Sequence, residues 1–157
     1  FTPKSGLRAR TSQSDIADLT DGRFYELLDD PNVGDRNAVE RIVLCTGKVS
    51  KEAIAHRDEV QAPAAVVRIE QLYPWPTHRV AEILASYPNA REIFWLQEEP
   101  ENMGAWNFVK GHLYEPFGED YAISRVSRPE SGSPATGSSA VHKQEQAQLL
   151  ATALAFD

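Results

Sequence analysis

The chain has 157 residues, of which 16 are basic and 23 acidic, for a formal net charge of −7, and 41% are hydrophobic. That size fits one domain with a core of its own. The single cysteine, Cys45, excludes a disulfide framework within the chain, the acidic balance argues against a general nucleic-acid binder, and no apolar run approaches the roughly 18 residues of a spanning helix. Neither nucleic acid nor membrane is therefore expected as a partner. Phe1 to Arg10 holds Lys4, Arg8 and Arg10 but no apolar core behind them, so no export signal is read. With one lone cysteine, that favours a reducing, intracellular setting. The chain does not begin with Met and reads as an excised piece or a processed product.

Residues 1–23 are polar and weakly periodic. They read as an arm or linker entering a compact domain over residues 24–157. Within Arg23 to Leu28, the apolar Phe24, Tyr25, Leu27 and Leu28 form an edge strand, stopped by Asp29-Asp30-Pro31. Arg41 to Thr46 is a continuous β-branched run ended by Gly47, the pattern of a strand buried on both faces. Val49 to Val60 reads as helix and Ala64 to Glu70 as a strand. Tyr73-Pro74-Trp75-Pro76 cannot be helical, because each proline pushes its predecessor to extended geometry. Thr77 is then placed to cap a helix. Val80, Ile83, Leu84 and Tyr87 form its apolar stripe. Glu92 to Gln97 is a further buried strand. Gly104 to His112 is predicted helical, with Trp106, Val109 and Leu113 on one face. Tyr121 to Val126 is another strand and Ser131 to Ser139 a Ser/Gly/Pro loop. Val141 to Phe156 closes the chain as a helix with Val141, Leu150 and Leu154 inward.

Strands alternating with helices imply an α/β layered domain with a mainly parallel sheet and helices on both faces. Ligands of such sheets gather beyond the carboxyl ends of the strands. Here those ends are Thr46-Gly47-Lys48, Gln71 to Pro74, Gln97 to Pro100 and Ser127-Arg128-Pro129.

Thr46-Gly47-Lys48 opens a helix, whose N-terminus favours anions, although the same residues also suit a plain tight turn. Arg125 and Arg128 precede the hydroxyl-rich loop and the last helix. Two guanidinium groups, several hydroxyls and a helix N-terminus make the best anion-binding constellation in the chain. The competing reading is a surface loop whose arginines pair with local acids. Lys48, Arg125 and Arg128 are accordingly the candidate regulatory anion contacts. Glu98-Glu99-Pro100-Glu101 puts three carboxylates in four residues, suited to a basic partner, to capping a helix or, if one were desolvated, to acid–base work. Glu98, Glu99, Asn102 and Trp106 are the candidate interface residues. His56, His78, His112 and His142 show no metal-ligand spacing, and Cys45 reads as a small core residue. No dinucleotide fingerprint and no Ser-His-Asp arrangement stand out.

Several stretches taken together resemble one family. They are Phe1 to Ser5, Gly34-Asp35-Arg36, Arg41 to Val49, Val67 to Pro74, Gln97 to Trp106, and Ser131 to Gly137 with Val141-His142 and Glu145-Gln146. In order, they are similar to the C-terminal domain of the E1 component of 2-oxoglutarate dehydrogenase, the thiamine-diphosphate-dependent decarboxylase of that complex. Gly6 and Ser50 depart from the usual bulky aliphatic and aromatic residues.

The resemblance implies a transketolase C-terminal-like fold, a three-layer α/β/α sandwich whose sheet carries one antiparallel strand, supplied by the segment near Phe24. It implies that thiamine diphosphate and magnesium bind to preceding domains across a homodimer interface, so no catalytic or cofactor-binding residue carries over to this chain. The whole protein would decarboxylate 2-oxoglutarate and pass succinyl to a lipoyl arm of the E2 succinyltransferase in the tricarboxylic acid cycle. It would work in the bacterial cytoplasm or, in a eukaryote, the mitochondrial matrix, the cytoplasm being preferred. This domain would then be structural and regulatory, with a nucleotide or acetyl-CoA as effector. The alternatives are a stand-alone anion-sensing module built on Arg125 and Arg128, or the same domain of another thiamine enzyme such as a carboligase or a 2-oxoadipate dehydrogenase.

Overall fold

The computed structural model describes residues 4–156. Its frame is a five-stranded sheet in the order β1–β3–β2–β4–β5. The strands β2 (Arg41–Cys45), β3 (Ala64–Ile69), β4 (Glu92–Pro100) and β5 (Ala122–Arg128) run parallel. β1 (Leu27–Leu28) pairs antiparallel with β3 at the edge. The one antiparallel strand expected near Phe24 is thus present, but it is short. Phe24 is 64% exposed and lies outside it.

Central β2 is buried along its whole length, which is why its sequence does not alternate. Its side chains still divide by parity. Ile42 and Leu44 face a core shared with α3 (Thr77–Ala85) and α4 (Trp106–Phe117), through Val80, Leu84, Val109 and Leu113. Val43 and Cys45 face the opposite core, built from α2 (Val49–Val60) and α5 (Ser139–Leu154) through Val49, Ala53, Leu149 and Leu154. These two cores are the physical content of the three layers.

Several boundaries move. β4 runs three residues past Gln97, so Glu98, Glu99 and Pro100 are strand rather than loop. α4 begins at Trp106 and continues through Pro116 to Phe117, well beyond His112. Thr77 is the first helical residue and makes no side-chain cap, since Pro76 occupies the cap position. Val141 is 45% exposed instead of inward. Gln146, Leu149, Ala153 and Leu154 set the buried face of α5, and Val141 falls outside that stripe.

Two buried arginines tie the layers together. Arg41 lies between the rings of Phe94 and Phe156, 4.0 and 4.2 Å from their centroids. It donates to the carbonyls of Ala153 (3.1 Å) and Ala155 (2.7 Å) and to Glu92 Oε2 (2.6 Å), anchoring the end of α5. Arg57 of α2 forms a forked pair with Asp30 at 2.8 and 3.0 Å and donates to Ala64 O at 2.7 Å. Asp30 also accepts from Val66 N at 2.7 Å. Because β1 has only two residues, the carboxylate stands in for the strand that would otherwise pair this part of β3.

Candidate functional site

The carboxyl ends of β2, β4 and β5 converge around the segment Gln97 to Trp106. Between Leu96 and Pro100 the register of β4 against β5 shifts, a bulge that re-aims the side chains within it. Gln97, two residues after Trp95, points by strand alternation into the α3/α4 layer and becomes a hub. Its Oε1 accepts from Trp95 Nε1 (2.9 Å) and from the backbone N of Trp106 (3.0 Å). Its Nε2 donates to the carbonyls of Pro100 (3.0 Å) and Met103 (2.9 Å). One amide therefore fixes the strand, the turn and the first residue of α4. Gly104 closes that turn at φ +67°. A Cβ there would stand 3.0 Å from both amide atoms of Gln97 and from Glu99 Cβ.

The three anion candidates do not gather at one place. Arg125 and Arg128 are three apart on β5, and side chains of odd spacing leave opposite faces of a strand. Arg125 lies on the α3/α4 side, paired with Glu101 at 2.6 Å and 5.8 Å from the Trp106 ring centroid. Arg128 lies on the α2/α5 side, with Lys48. Lys48 pairs with Glu98 and, at 3.4 Å, with Glu52. Partial burial opposes the Lys48 charge, but hydrogen bonding to Glu98 and the two carboxylates outweigh it and raise its pKa. Glu52 accepts from Gln146 at 2.7 Å, and Gln146 accepts from Arg128 at 3.4 Å. Lys48 and Arg128 are thus the two ends of one polar chain, and each carries carboxylate partners.

Arg128 is 7% exposed yet borders a cleft of about 220 Å³ lined by Pro129, Ser131, Ser133, Thr136 and Glu145. It donates to His142 Nδ1 at 2.8 Å. A guanidinium can only donate, so Nδ1 is the acceptor and the ring proton of neutral His142 sits on Nε2. Arg128 Nε and Glu145 Oε2 face each other at 3.3 Å without hydrogen-bond geometry. This cleft is where the hydroxyl-rich loop and the start of α5 meet, as the sequence places them.

Of the interface candidates, Glu98 is committed to Lys48, while Glu99 is exposed. Asn102 exchanges hydrogen bonds with the backbone of Ser131 (3.0 and 3.1 Å), joining the two loops. Trp106 is only 8% exposed and belongs to the α3/α4 core, so its ring is used for packing rather than for an outer surface. The acidic run caps no helix, since α4 is preceded by Ala105 without a side-chain cap.

The family of 2-oxoglutarate dehydrogenase C-terminal domains matches this chain over residues 13–154. The chain belongs to that family. It is 45% identical over 161 residues to a multifunctional 2-oxoglutarate metabolism enzyme of Mycobacterium sp. (strain KMS), covering 99% of this chain and 13% of that protein. It is 41% identical over 156 residues to the 2-oxoglutarate dehydrogenase E1 component of Cupriavidus necator, covering 99% and 16%. The E1 component of a Geobacillus species is 38% identical over 157 residues, with 98% and 16% covered. The chain therefore spans about a sixth or less of the length of these relatives, and the C-terminal domain that the ordered motifs resemble is the part it matches. The leading motif, Phe1 to Ser5, lies partly outside the described residues.

Within this 2-oxoglutarate dehydrogenase C-terminal domain, three residues that composition does not single out organise the carboxyl-end face: Gln97, His142 and Gln146. Each stands in a stretch that carries the resemblance, but an amide or imidazole gives no signal of its hydrogen-bond partners. Cys45 is a core residue as expected, fully buried, with Sγ 3.8 Å from Val67 O. Burial pushes its thiol from an ordinary value near 9 up to about 12. Folded protein at pH 7.5 is expected to leave Cys45 unreacted with a maleimide, and denatured protein to react fully. Below pH 9 both states keep the proton and the contribution to stability is intact. It is lost as the pH climbs from about 9 towards 12, so Cys45→Ala should flatten the fall of the urea midpoint over that window.

Proposed function

We propose that the protein carrying this domain is a thiamine-diphosphate-dependent E1 that decarboxylates 2-oxoglutarate and passes succinyl to the lipoyl arm of an E2 succinyltransferase. The observation that carries this reading is the family match over residues 13–154, with relatives named as E1 components at 38–41% identity. The names of the Mycobacterium relatives favour a second reading, a multifunctional enzyme of 2-oxoglutarate metabolism.

The described residues do not fit the cofactor itself. No three His, Cys, Asp or Glu side chains among them form a group able to hold magnesium. Lys48 and Arg125, cations that a diphosphate would need, are paired with carboxylates and lie on opposite sides of the sheet. We therefore assign the thiamine chemistry to other parts of the longer protein. This domain's part is to present a rigid face at the strand ends, where Gln97 holds the turn and Glu99 stands free for a partner, a second E1 subunit or E2. The whole protein would act in the cytoplasm.

Regulation by an anion would run through the Arg128 cleft, where a buried guanidinium meets open volume and hydroxyls. Lys48 would feel it through Glu52 and Gln146, whereas Arg125 would not. A small anion, AMP or acetyl-CoA, should raise the melting temperature of the chain by mass action, and Arg128→Ala should abolish that shift. No shift with inorganic phosphate, AMP or acetyl-CoA would remove the effector from the proposal. In calorimetry, thiamine diphosphate with magnesium should give no binding heat with this chain, and tight binding would overturn the assignment of the cofactor elsewhere.

A further inference from the structure

Residues 13–26 leave the body of the domain between two fixed points. At one, Lys51 Nζ on α2 donates to Ser12 Oγ at 2.6 Å. At the other, Leu27–Leu28 pairs with β3. Both points lie on the rim of one groove of about 450 Å³. Its floor is apolar, from Leu28, Pro31, Ile54 and Val66, and its edges carry the cations Lys51 and Arg68.

The segment between the anchors has the complementary pattern. The short helix α1 (Ile16–Thr20) buries none of its residues. Ile16 is 79% and Leu19 80% exposed, and at a spacing of three they share one face. Asp15 and Asp18 border that face, and Asp21 follows. Lys51 has no carboxylate within salt-bridge distance among the described residues. Desolvation and the nearby Arg68 charge hold its pKa below the ordinary value. Among the described residues, Arg68 pairs only with Glu70, two positions along the chain. Extended, residues 13–26 could reach about 45 Å, ample for α1 to turn onto a groove whose rim already holds both ends of the segment.

We propose that residues 14–21 form a strap that closes over this groove, Ile16 and Leu19 seating on Leu28, Ile54 and Val66 while Asp15 and Asp18 meet Lys51 and Arg68. The occupant is the chain's own segment because its ends are tethered there, which gives it a high effective concentration over any free peptide. It also fixes the direction from which the polypeptide enters the domain.

Methyl-labelled full-length chain tests this by nuclear Overhauser spectroscopy. Cross-peaks are expected from Ile16 and Leu19 methyls to Ile54 and Val66 methyls. The double variant I16D/L19D changes only exposed side chains, so the fold should persist. It should erase those cross-peaks, shift the Ile54 and Val66 methyl signals and lower the melting temperature by a few degrees. Lys51→Glu should weaken the same cross-peaks. The strap is wrong if the wild-type Ile16 and Leu19 methyls stay at free-chain shifts and I16D/L19D leaves the groove signals and melting temperature unchanged. It is equally wrong if mixed-label samples show that the cross-peaks run between two copies.

Discussion

Gln97→Ala should lower the unfolding free energy of the domain by about 4 kcal/mol, read by urea denaturation. The side chain is 2% exposed and makes four short hydrogen bonds from one amide. Removing it strands the Trp95 indole N–H, the Trp106 N–H and two carbonyls in a site with little access to water. Each buried polar group left without a partner costs about 1–3 kcal/mol, and the cavity adds to that. Some groups recover a partner by relaxation, which keeps the total near 4 rather than at the sum. Gln97→Glu should recover little, because the carboxylate replaces a donor aimed at the Pro100 and Met103 carbonyls. Gly104→Ala should act on the same hub from the other side, at a cost of about 1–2 kcal/mol from the positive φ and the crowding of Gln97. A loss below 1 kcal/mol in Gln97→Ala would mean that the turn is held by something else.

Asp30→Ala should cost about 3–5 kcal/mol. Its carboxylate is fully buried against Arg57, and it also accepts from Val66 N and, at 3.0 Å, from Asn32 N. Breaking a buried pair from one side leaves the other charge uncompensated, which is worse than removing both. Asp30→Ala/Arg57→Met should therefore be more stable than the sum of its single variants, by more than 1 kcal/mol in the double-mutant cycle. Additive losses would contradict the pairing. Arg57 would still hold Asp58 (2.6 Å) and Ala64 O in Asp30→Ala, which places the expected loss nearer the lower end of the range.

The layered fold was legible because β2, β3 and most of β4 are buried on both faces, and such strands write themselves as unbroken apolar runs. The stripe Val80, Ile83 and Leu84 was legible from its helical spacing, although Tyr87, read as its last member, is buried just beyond the end of α3 at Ala85. What sequence could not show was how polar side chains pair across elements. Arg125 and Arg128 read as one cluster along the chain, although alternation along a strand already sends them to opposite faces. Strand alternation was the available signal. Trp106 offered no signal of burial, since an aromatic beside Glu and Asn suits an interface as well as a core. Asp30 reads as part of a turn in Asp29-Asp30-Pro31, yet it serves as a surrogate strand edge. The extension of β4 through Glu98 to Pro100 was hidden because proline is disfavoured in strands. Pro100 is the last residue of β4, paired opposite Arg128 just past the bulge, a strand-end position where a missing N–H costs least.

The decisive measurement is carbon dioxide release from 2-oxoglutarate by the full-length protein that carries this domain, with thiamine diphosphate and magnesium supplied. The expected result is release that requires the cofactor and strongly favours 2-oxoglutarate over 2-oxoadipate and pyruvate. Cofactor-dependent release from another 2-oxoacid with none from 2-oxoglutarate would contradict the account.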